Sequence, residues 1–460
     1  MKNLFDIVFV GNISIDKKVC VNGKYVEVIG GSAFNSYCAT QLFQNLKNIK
    51  VYSNFDEHNI LKDINLNQQK FKPNVFIINE KNSSCISEIN STIKLGNAFS
   101  CEHLHISFRK GVDITSFLNG NVIYKSLSID VMLYSVSEFI PLIEKYAERI
   151  DFLFCNKTEY EVIKNIQIKG LFIVTNEDKS IEVHHRNNTD YYYVTEIKNK
   201  IISTTGAGDS FIGGFISCYF YDHDLTSAIN RGIQCAQFCL KTYTNSEFIN
   251  KKCREKKTTF KLPKKIIVIG PSCAGKSTII KKIIEKFNFY IYYDDLVVLK
   301  ERVEIDNENL NTNFKFYKDY LPITRKTKKI SETTFKITDE TLWQEVIDLI
   351  CEKCEEYSII EFSRGTESKK KIDRNNVYLP YIEKIKKKLG EEIVILFVDA
   401  NFYSRSKRNN KREKLGGHKV EDETFRSIYR FSCKPKNEKI IQVKSNVSLQ
   451  KLFNKIGEQL

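Results

Sequence analysis

Two glycine-rich turns, each leading into a helical pattern, constrain this chain more than any other feature. The first reads Ser203-Thr204-Thr205-Gly206-Ala207-Gly208-Asp209 and leads into a helical pattern over 210–221. The second reads Gly270-Pro271-Ser272-Cys273-Ala274-Gly275-Lys276-Ser277-Thr278 and follows an apolar run at 266–269. A glycine turn at a helix start leaves backbone N–H groups unpartnered, aimed outward at the positive end of the helix dipole. Such a junction is an anion site and belongs to alternating strand–helix architecture. Short apolar runs at 7–10, 75–78, 122–124, 152–154, 171–174, 359–362 and 393–398 alternate with helical patterns, so an α/β fold with mostly parallel, buried strands is expected. Single cores seldom grow past about 250–300 residues, and this chain has 460. The basic stretch Lys251-Lys252-Cys253-Arg254-Glu255-Lys256-Lys257, followed by Pro263, reads as a linker. We therefore expect a first domain over 1–245, a basic linker over 246–263 and a second domain over 264–460.

In the first turn, the N–H groups of Gly206, Ala207 and Gly208 form a candidate hole for the charge on a phosphoryl group in transfer. Asp209 is a candidate base for an attacking hydroxyl. A carboxylate in that first helical turn also serves simply as a cap. Thr205-Gly206-Ala207-Gly208-Asp209-Ser210-Phe211, followed by Gly213-Gly214, resembles the C-terminal signature of the ribokinase (PfkB) family of sugar and nucleoside kinases. Further segments resemble that family in its order. They are Gly11-Asn12-Ile13-Ser14-Ile15-Asp16, Gly30-Gly31-Ser32-Ala33-Phe34-Asn35, Asn156-Lys157-Thr158-Glu159 and Phe172-Ile173-Val174-Thr175. The resemblance, over about residues 5–242, implies a ribokinase-like α/β/α sandwich with a short β lid, and the alternation at 18–28 would supply that lid as two strands.

The resemblance also implies roles. Asp209 would be the base and Gly206, Ala207 and Gly208 the anion hole. Asp16, Gly30, Gly31 and Asn35 would line the acceptor pocket. Asn156 and Glu159 would organise Mg2+ and the ATP phosphates, with Glu159 toward the metal, and Thr175 would lie at the nucleotide. The implied cofactors are ATP, Mg2+ and a monovalent cation such as K+. The implied acceptor is a sugar or nucleoside. Two departures stand out. Ser203 takes the place of the family's usual Asp, which alters the support for the cation. After Thr175 the usual glycine-rich turn is replaced by Asn176-Glu177-Asp178-Lys179-Ser180, whose Glu177 would repel phosphate. A non-catalytic sensor gating the second domain is the alternative reading.

The second turn is a P-loop (Walker A) pattern in the strand–turn–helix setting that this motif requires. Gly270 and Gly275 let N–H groups face a β-phosphate, Lys276 neutralises β/γ charge, Ser277 can ligate Mg2+, and Thr278 adjoins the phosphates. The region 264–445 resembles the small-molecule P-loop kinases, which implies a P-loop NTPase α/β/α domain with a mostly parallel sheet. By that resemblance Asp295 would bind substrate or act as base, Glu361 would position Mg2+ with Asp399 as its rival, and Arg364 would meet an acceptor phosphate. Arg405, Arg408 and Arg412 are spaced three and four apart and share a helix face. They resemble a lid row that clamps phosphoryl oxygens; a solvated basic face is the plain alternative.

Charge separates the halves. Residues 1–250 hold 25 Lys+Arg against 26 Asp+Glu, and residues 251–460 hold 46 against 30, so the second half carries the whole basic excess. An anionic partner follows for the second domain: a phosphorylated small molecule such as a nucleotide, or, as the alternative, nucleic acid tracked by lysines such as Lys384, Lys386, Lys387 and Lys388. A bifunctional phosphotransferase is the combined expectation. No run reaches the ~18–20 apolar residues of a membrane span, the start lacks a signal-peptide pattern, and the 13 scattered cysteines suit reduced thiols, so a cytoplasmic protein is expected.

Overall fold

The computed structural model describes residues 4–43, 48–53, 74–90, 92–132, 136–176, 180–195, 200–248, 259–294, 327–331, 334–337, 341–362, 379–390, 392–414, 425 and 439–458. These fall into two compact units, Met1–Leu262 and Pro263–Leu460. Among them no helix is long and apolar enough to cross a membrane.

In the first unit, strand β1 (Leu4–Val10) buries Ile7, Val8, Phe9 and Val10 completely. Alternate residues of a strand face opposite sides, so both faces of its sheet are covered, as parallel sheets require. The elements that follow are β2 (Ser14–Val19), β3 (Tyr25–Gly30), α1 (Ser32–Thr40), β4 (Ile49–Tyr52), β5 (Asn74–Asn79), β6 (Ser84–Glu88) and β7 (Phe99–Phe108). Then come α2 (Ile114–Leu118), β8 (Val122–Val131), α3 (Val136–Tyr146), β9 (Phe152–Asn156), α4 (Lys157–Ile163), β10 (Leu171–Thr175), β11 (Ser180–His185) and β12 (Asn188–Val194). The unit closes with α5 (Ala207–Asp222), α6 (Leu225–Cys239) and β13 (Thr259–Lys261). The main sheet runs β13-β12-β11-β10-β9-β8-β7-β1-β4, parallel from β4 to β10 and antiparallel beyond. Ile7 and Phe9 meet Phe211, Phe215 and Ile229 of α5 and α6 on one face. Val8 and Val10 belong to the core that holds Phe117, Phe139, Ile143 and Ile163 of α2, α3 and α4 on the other. This is the ribokinase-like α/β/α sheet that the motifs imply.

Three expectations change. The lid is a four-stranded sheet, β3-β2-β5-β6, because β5 pairs parallel to β2 and β6 antiparallel to β5. The run at 75–78 therefore lies in this small sheet and is only half-buried, with Ile77 54% exposed. Part of the span expected as linker is ordered structure of the first unit: a 3-10 turn at Asn245–Phe248 and β13, which pairs with β12. The basic run 251–257 lies outside the described residues.

The second unit contains β14 (Lys265–Ile269), α7 (Lys276–Lys286), β15 (Ile291–Asp294), a hairpin of β16 (Thr327–Ser331) and β17 (Thr334–Ile337), β18 (Ser358–Phe362), β19 (Ile393–Asp399) and β20 (Ile440–Lys444). Its five-stranded sheet is parallel throughout, in the order β15-β18-β14-β19-β20. The helices Thr341–Lys353 and Leu379–Leu389 bury Val346, Ile350, Ile382 and Ile385 against Ile267, Ile269, Ile360 and Phe397. Between those two helices Asp348 pairs with Lys384 and Lys388.

Within the main sheet of the first unit, His103 and His105 on β7 share Ser126 and Ser128 of β8: His103 Nε2 lies 2.8 Å and His105 Nδ1 2.9 Å from Ser128 Oγ. Burial lowers His103 to about 4 and, helped by the charges of His103 and Arg109, lowers His105 well below the ordinary value. The unfolded chain takes up these protons near pH 6.5 while the folded one resists, so stability is full above that pH and is lost on descent toward about 4. We predict that the urea midpoint falls across this window, and falls less steeply in His103→Gln; equal slopes for the two proteins would refute the assignment.

Candidate active site

In the parallel part of the first sheet the chain goes from β1 to β4 on one side and then to β7 on the other. The carboxyl ends of β1 and β7 therefore flank a switch point, the place where open α/β sheets gather ligands. Helix α5 begins above it. Gly206 caps that helix with φ +82°, and a Cβ there would lie 2.7 Å from Asn35 Nδ2, so the turn demands glycine. A Cβ on Gly208 would meet nothing within 4 Å, leaving its backbone open to an approaching ligand.

Asp209 sits in the first turn of α5. Asn35 of α1 donates to its Oδ2 at 3.0 Å. Arg109, just after β7, donates to its Oδ1 at 3.1 Å and to Asp130 Oδ2 at 2.6 Å. Burial would lower the guanidinium's pKa, but the charges of Asp130 and Asp209 raise it above its ordinary value. Burial lifts Asp130 to about 7 against the pull of Arg109, with Asp209 and Glu159 adding repulsion. A cluster of carboxylates in mutual repulsion suits a divalent cation. Among the described residues no three His, Cys, Asp or Glu side chains form a protein cage for one, but Mg2+ arriving with a nucleotide needs only one or two carboxylates.

On the acceptor side, Ser14 Oγ donates to Asp16 Oδ1 at 2.7 Å, and burial raises Asp16 to about 6 despite that bond and the charge of Lys18. A Cβ on Gly30 would fall 1.9 Å from Asp16 Oδ2, so only glycine lets β3 run this close to the carboxylate. Asp16, Lys18, Gly30, Asn35, Thr205 and Asn245 line one small cavity of about 10 Å³. Asn156 and Glu159 form a reciprocal capping box on α4: Asn156 Oδ1 accepts from Glu159 N–H at 2.9 Å, and Glu159 Oε2 accepts from Asn156 N–H at 2.7 Å. Thr175 ends β10, and Glu177 lies outside the described residues.

The implied monovalent cation does not fit. Beside Ser203 the chain supplies its own ammonium, Lys18 Nζ, at 2.9 Å from Ser203 Oγ. Ser203 Oγ in turn donates to Glu80 Oε1 at 2.6 Å.

In the second unit, the chain passes from β14 to β15 and β18 on one side and to β19 and β20 on the other, again a switch point. Gly275 caps α7, and the Lys276 and Ser277 side chains turn toward the end of β18. Lys276 Nζ donates to Gly270 O at 3.0 Å and lies 3.6 Å from Glu361 Oε1; Ser277 Oγ is 3.4 Å from Glu361 Oε2. Tyr292 Oη lies 2.5 Å from Glu361 Oε2 and 2.7 Å from Asp294 Oδ2, and burial together with Glu361 and Asp294 pushes the phenol far above its usual range. Asp399 stands apart from this group and accepts from Gln442. Asp295 and Arg364 lie outside the described residues.

Two arginines of the row bond the backbone of the loop itself. Arg405 Nε donates to Ser272 O at 2.8 Å, and Arg408 Nη1 donates to Cys273 O at 3.1 Å and Ala274 O at 2.7 Å. Arg405 is fully buried, its guanidinium 4.8 Å from the Phe425 ring centroid. A peptide plane points N–H and C=O in opposite directions. A loop that turns its N–H groups inward therefore presents carbonyls behind, and these two arginines satisfy them. Of Arg412 only the helical backbone is described.

Arg109, Asp130, Lys18, Glu80 and Tyr292 were not singled out from the sequence. Arg109 and Asp130 carry a usable signal: each is a charge at the carboxyl end of an apolar strand, where parallel sheets collect ligands. Lys18, Glu80 and Tyr292 carry none, since each reads as an ordinary residue of an alternating or turn segment.

Residues 17–251 match the family model described as pfkB family carbohydrate kinase. None of the curated proteins matches the chain. Among solved structures the chain is similar to a nucleoside kinase of Methanocaldococcus jannaschii (19% identity, TM-score 0.43, covering 54% of this chain and 95% of that one). It is also similar to a ribokinase of Cryptococcus neoformans (13%, 0.40, 54% and 97%) and to an adenosine kinase of Anopheles gambiae (13%, 0.41, 54% and 98%).

Removing Arg109 leaves two largely buried carboxylates facing each other. Arg109→Leu is expected to cost about 3–5 kcal/mol, read from the denaturant midpoint. The deficit should widen above pH 7, because Asp130 is already raised to about 7 and each added charge there loses its partner. A deficit that shrinks as pH rises would contradict the pairing.

Proposed function

The chain belongs to the pfkB carbohydrate kinase family, an ATP-dependent kinase family, and from that premise we propose that its first unit transfers the ATP γ-phosphoryl group to a hydroxyl of a sugar or nucleoside. The observation that carries this reading is the Asp209 carboxylate, held by Asn35 and Arg109 in the first turn of α5 beside the open Gly206–Gly208 backbone. Asp16, Gly30, Gly31 and Asn35 grip the acceptor through its hydroxyls. Asp209 takes the proton from the attacking hydroxyl, and the N–H groups at 206–208 receive the negative charge of the phosphoryl group in transfer. Glu159, with Asn156, would hold Mg2+ at the phosphate end of ATP, where the ion would supply neutralisation of phosphate charge. Thr175 lies at the nucleotide.

We propose further that the second unit is a P-loop kinase, which makes the chain bifunctional. The supporting observation is the meeting of Lys276, Ser277 and Glu361 at the switch point of a fully parallel sheet. Lys276 and the 270–275 backbone would bind the β- and γ-phosphates, Ser277 and Glu361 would hold Mg2+, and Arg405 and Arg408 act behind the loop by fixing its carbonyls. Its acceptor is a phosphorylated small molecule such as a nucleotide, with Asp295 and Arg364 as the residues that meet it.

The test uses the full chain, γ-labelled ATP and a panel of sugars, nucleosides and nucleoside monophosphates. Asp209→Asn should lower kcat for the sugar or nucleoside product about 10²–10⁴-fold, and Lys276→Ala should abolish only the product made from a phosphorylated acceptor. Undiminished sugar or nucleoside product from Asp209→Asn sinks the first reading. Loss of neither product in Lys276→Ala sinks the second.

A further inference from the structure

We infer that the Lys18 ammonium, joined to the Glu80 carboxylate through Ser203 Oγ, is a built-in monovalent cation for the loop that leads into the anion hole, and that this kinase needs none from solution. The inference rests on the proposal that the turn at 206–208 carries the transfer. Four groups of that loop converge on one oxygen. Glu80 Oε1 accepts from Ser203 Oγ at 2.6 Å, Thr204 N–H at 3.0 Å, Thr205 N–H at 2.9 Å and Thr205 Oγ1 at 2.5 Å. Glu80 Oε2 accepts from Val21 N–H at 3.0 Å. Burial would raise this carboxyl, yet the bonds from Ser203 and Thr205 and the charge of Lys18 hold it below its ordinary value. Lys18 is 3% exposed, and its Nζ donates to Ser203 Oγ at 2.9 Å.

Ser203 Oγ therefore accepts from an ammonium and donates to a carboxylate. A solution cation placed at this oxygen would stand against the ammonium already there. The anion and the cation both come from the small sheet, Lys18 on β2 and Glu80 one residue past β5. Cysteine 239, whose Sγ lies 3.4 Å from Thr205 O, and Asn245, which donates to Ser210 Oγ at 2.9 Å, hold the loop from its other side. Lys18 is thus a positioning residue. It touches neither Asp209 nor the hole, but with Glu80 it fixes Ser203–Thr205 and through them the backbone of Gly206–Gly208.

The experiment measures thermal stability and kinase rate of the full chain in potassium chloride and in N-methylglucamine chloride at equal ionic strength, for the natural protein, Lys18→Met and Lys18→Arg. The natural protein should show the same Tm in both salts and a kcat that differs by less than about twofold. Lys18→Met leaves Glu80 without its cation. It should lose about tenfold or more in kcat with a smaller change in KM, and potassium, unlike N-methylglucamine, should raise its Tm and recover part of that rate. Lys18→Arg should keep the indifference to potassium. A natural protein whose Tm or kcat rises with potassium overturns the inference, and so does a Lys18→Met protein that matches the natural one in both salts. If Lys18→Met does not fold, the natural protein and Lys18→Arg decide the matter. The Tm comparison needs no turnover, so a first unit without kinase activity would count against the proposed function and leave this inference still open to refutation.

Discussion

A single guanidinium holds the reactive end of the first unit together. Arg109 leaves the carboxyl end of β7 and lies between Asp130 at the end of β8 and Asp209 at the start of α5. Without it, the repulsion of Asp209 and Glu159 at Asp130, which burial already raises to about 7, would have no cation to offset it. The same contact that joins the strand ends to α5 holds one oxygen of the Asp209 carboxylate, and Asn35 holds the other. The strand order matters for this reason: only the switch beside β1 brings β7, β8, α1 and α5 to one place.

The two units meet a shared physical demand in different ways. Each presents backbone N–H groups at a helix start after glycine. In the first, acidic side chains surround the turn, and the loop before it is tied to the small sheet through Glu80. In the second, Lys276 faces the turn with Glu361, while Arg405 and Arg408 hold the loop's carbonyls from behind. One loop is fixed by an anion accepting its N–H groups, the other by cations donating to its C=O groups.

The basic excess of residues 251–460 acquires a structural meaning from these contacts. Part of it is engaged within the unit: Arg405 is fully buried, Arg408 bonds carbonyls of the 270–275 turn, and Lys384 and Lys388 pair with Asp348 across two helices. A cation committed to a carbonyl or a carboxylate is not one of a stripe tracking a polyanion. Net charge is a sum over residues, whereas a binding surface depends on which charges face outward.

Local chemistry made much of this legible in the amino-acid sequence. Alternating apolar runs and helical patterns specify buried parallel strands, and glycine at a helix start specifies an anion site, because both depend on residues close together in the chain. The two glycine turns at the starts of helices, with Asp209 and Lys276 in the first turn of each, followed directly. What depended on distant pairing did not. The β5–β2 pairing that made the lid four-stranded joins segments far apart in sequence, and the meeting of Arg109 with Asp209 spans 100 positions. The arginine row had the right spacing for one helix face, but which side of the loop that face meets was decided by the packing of the helix Phe402–Lys414. Helix and strand periods say which residues share a face; only the tertiary structure says what stands opposite.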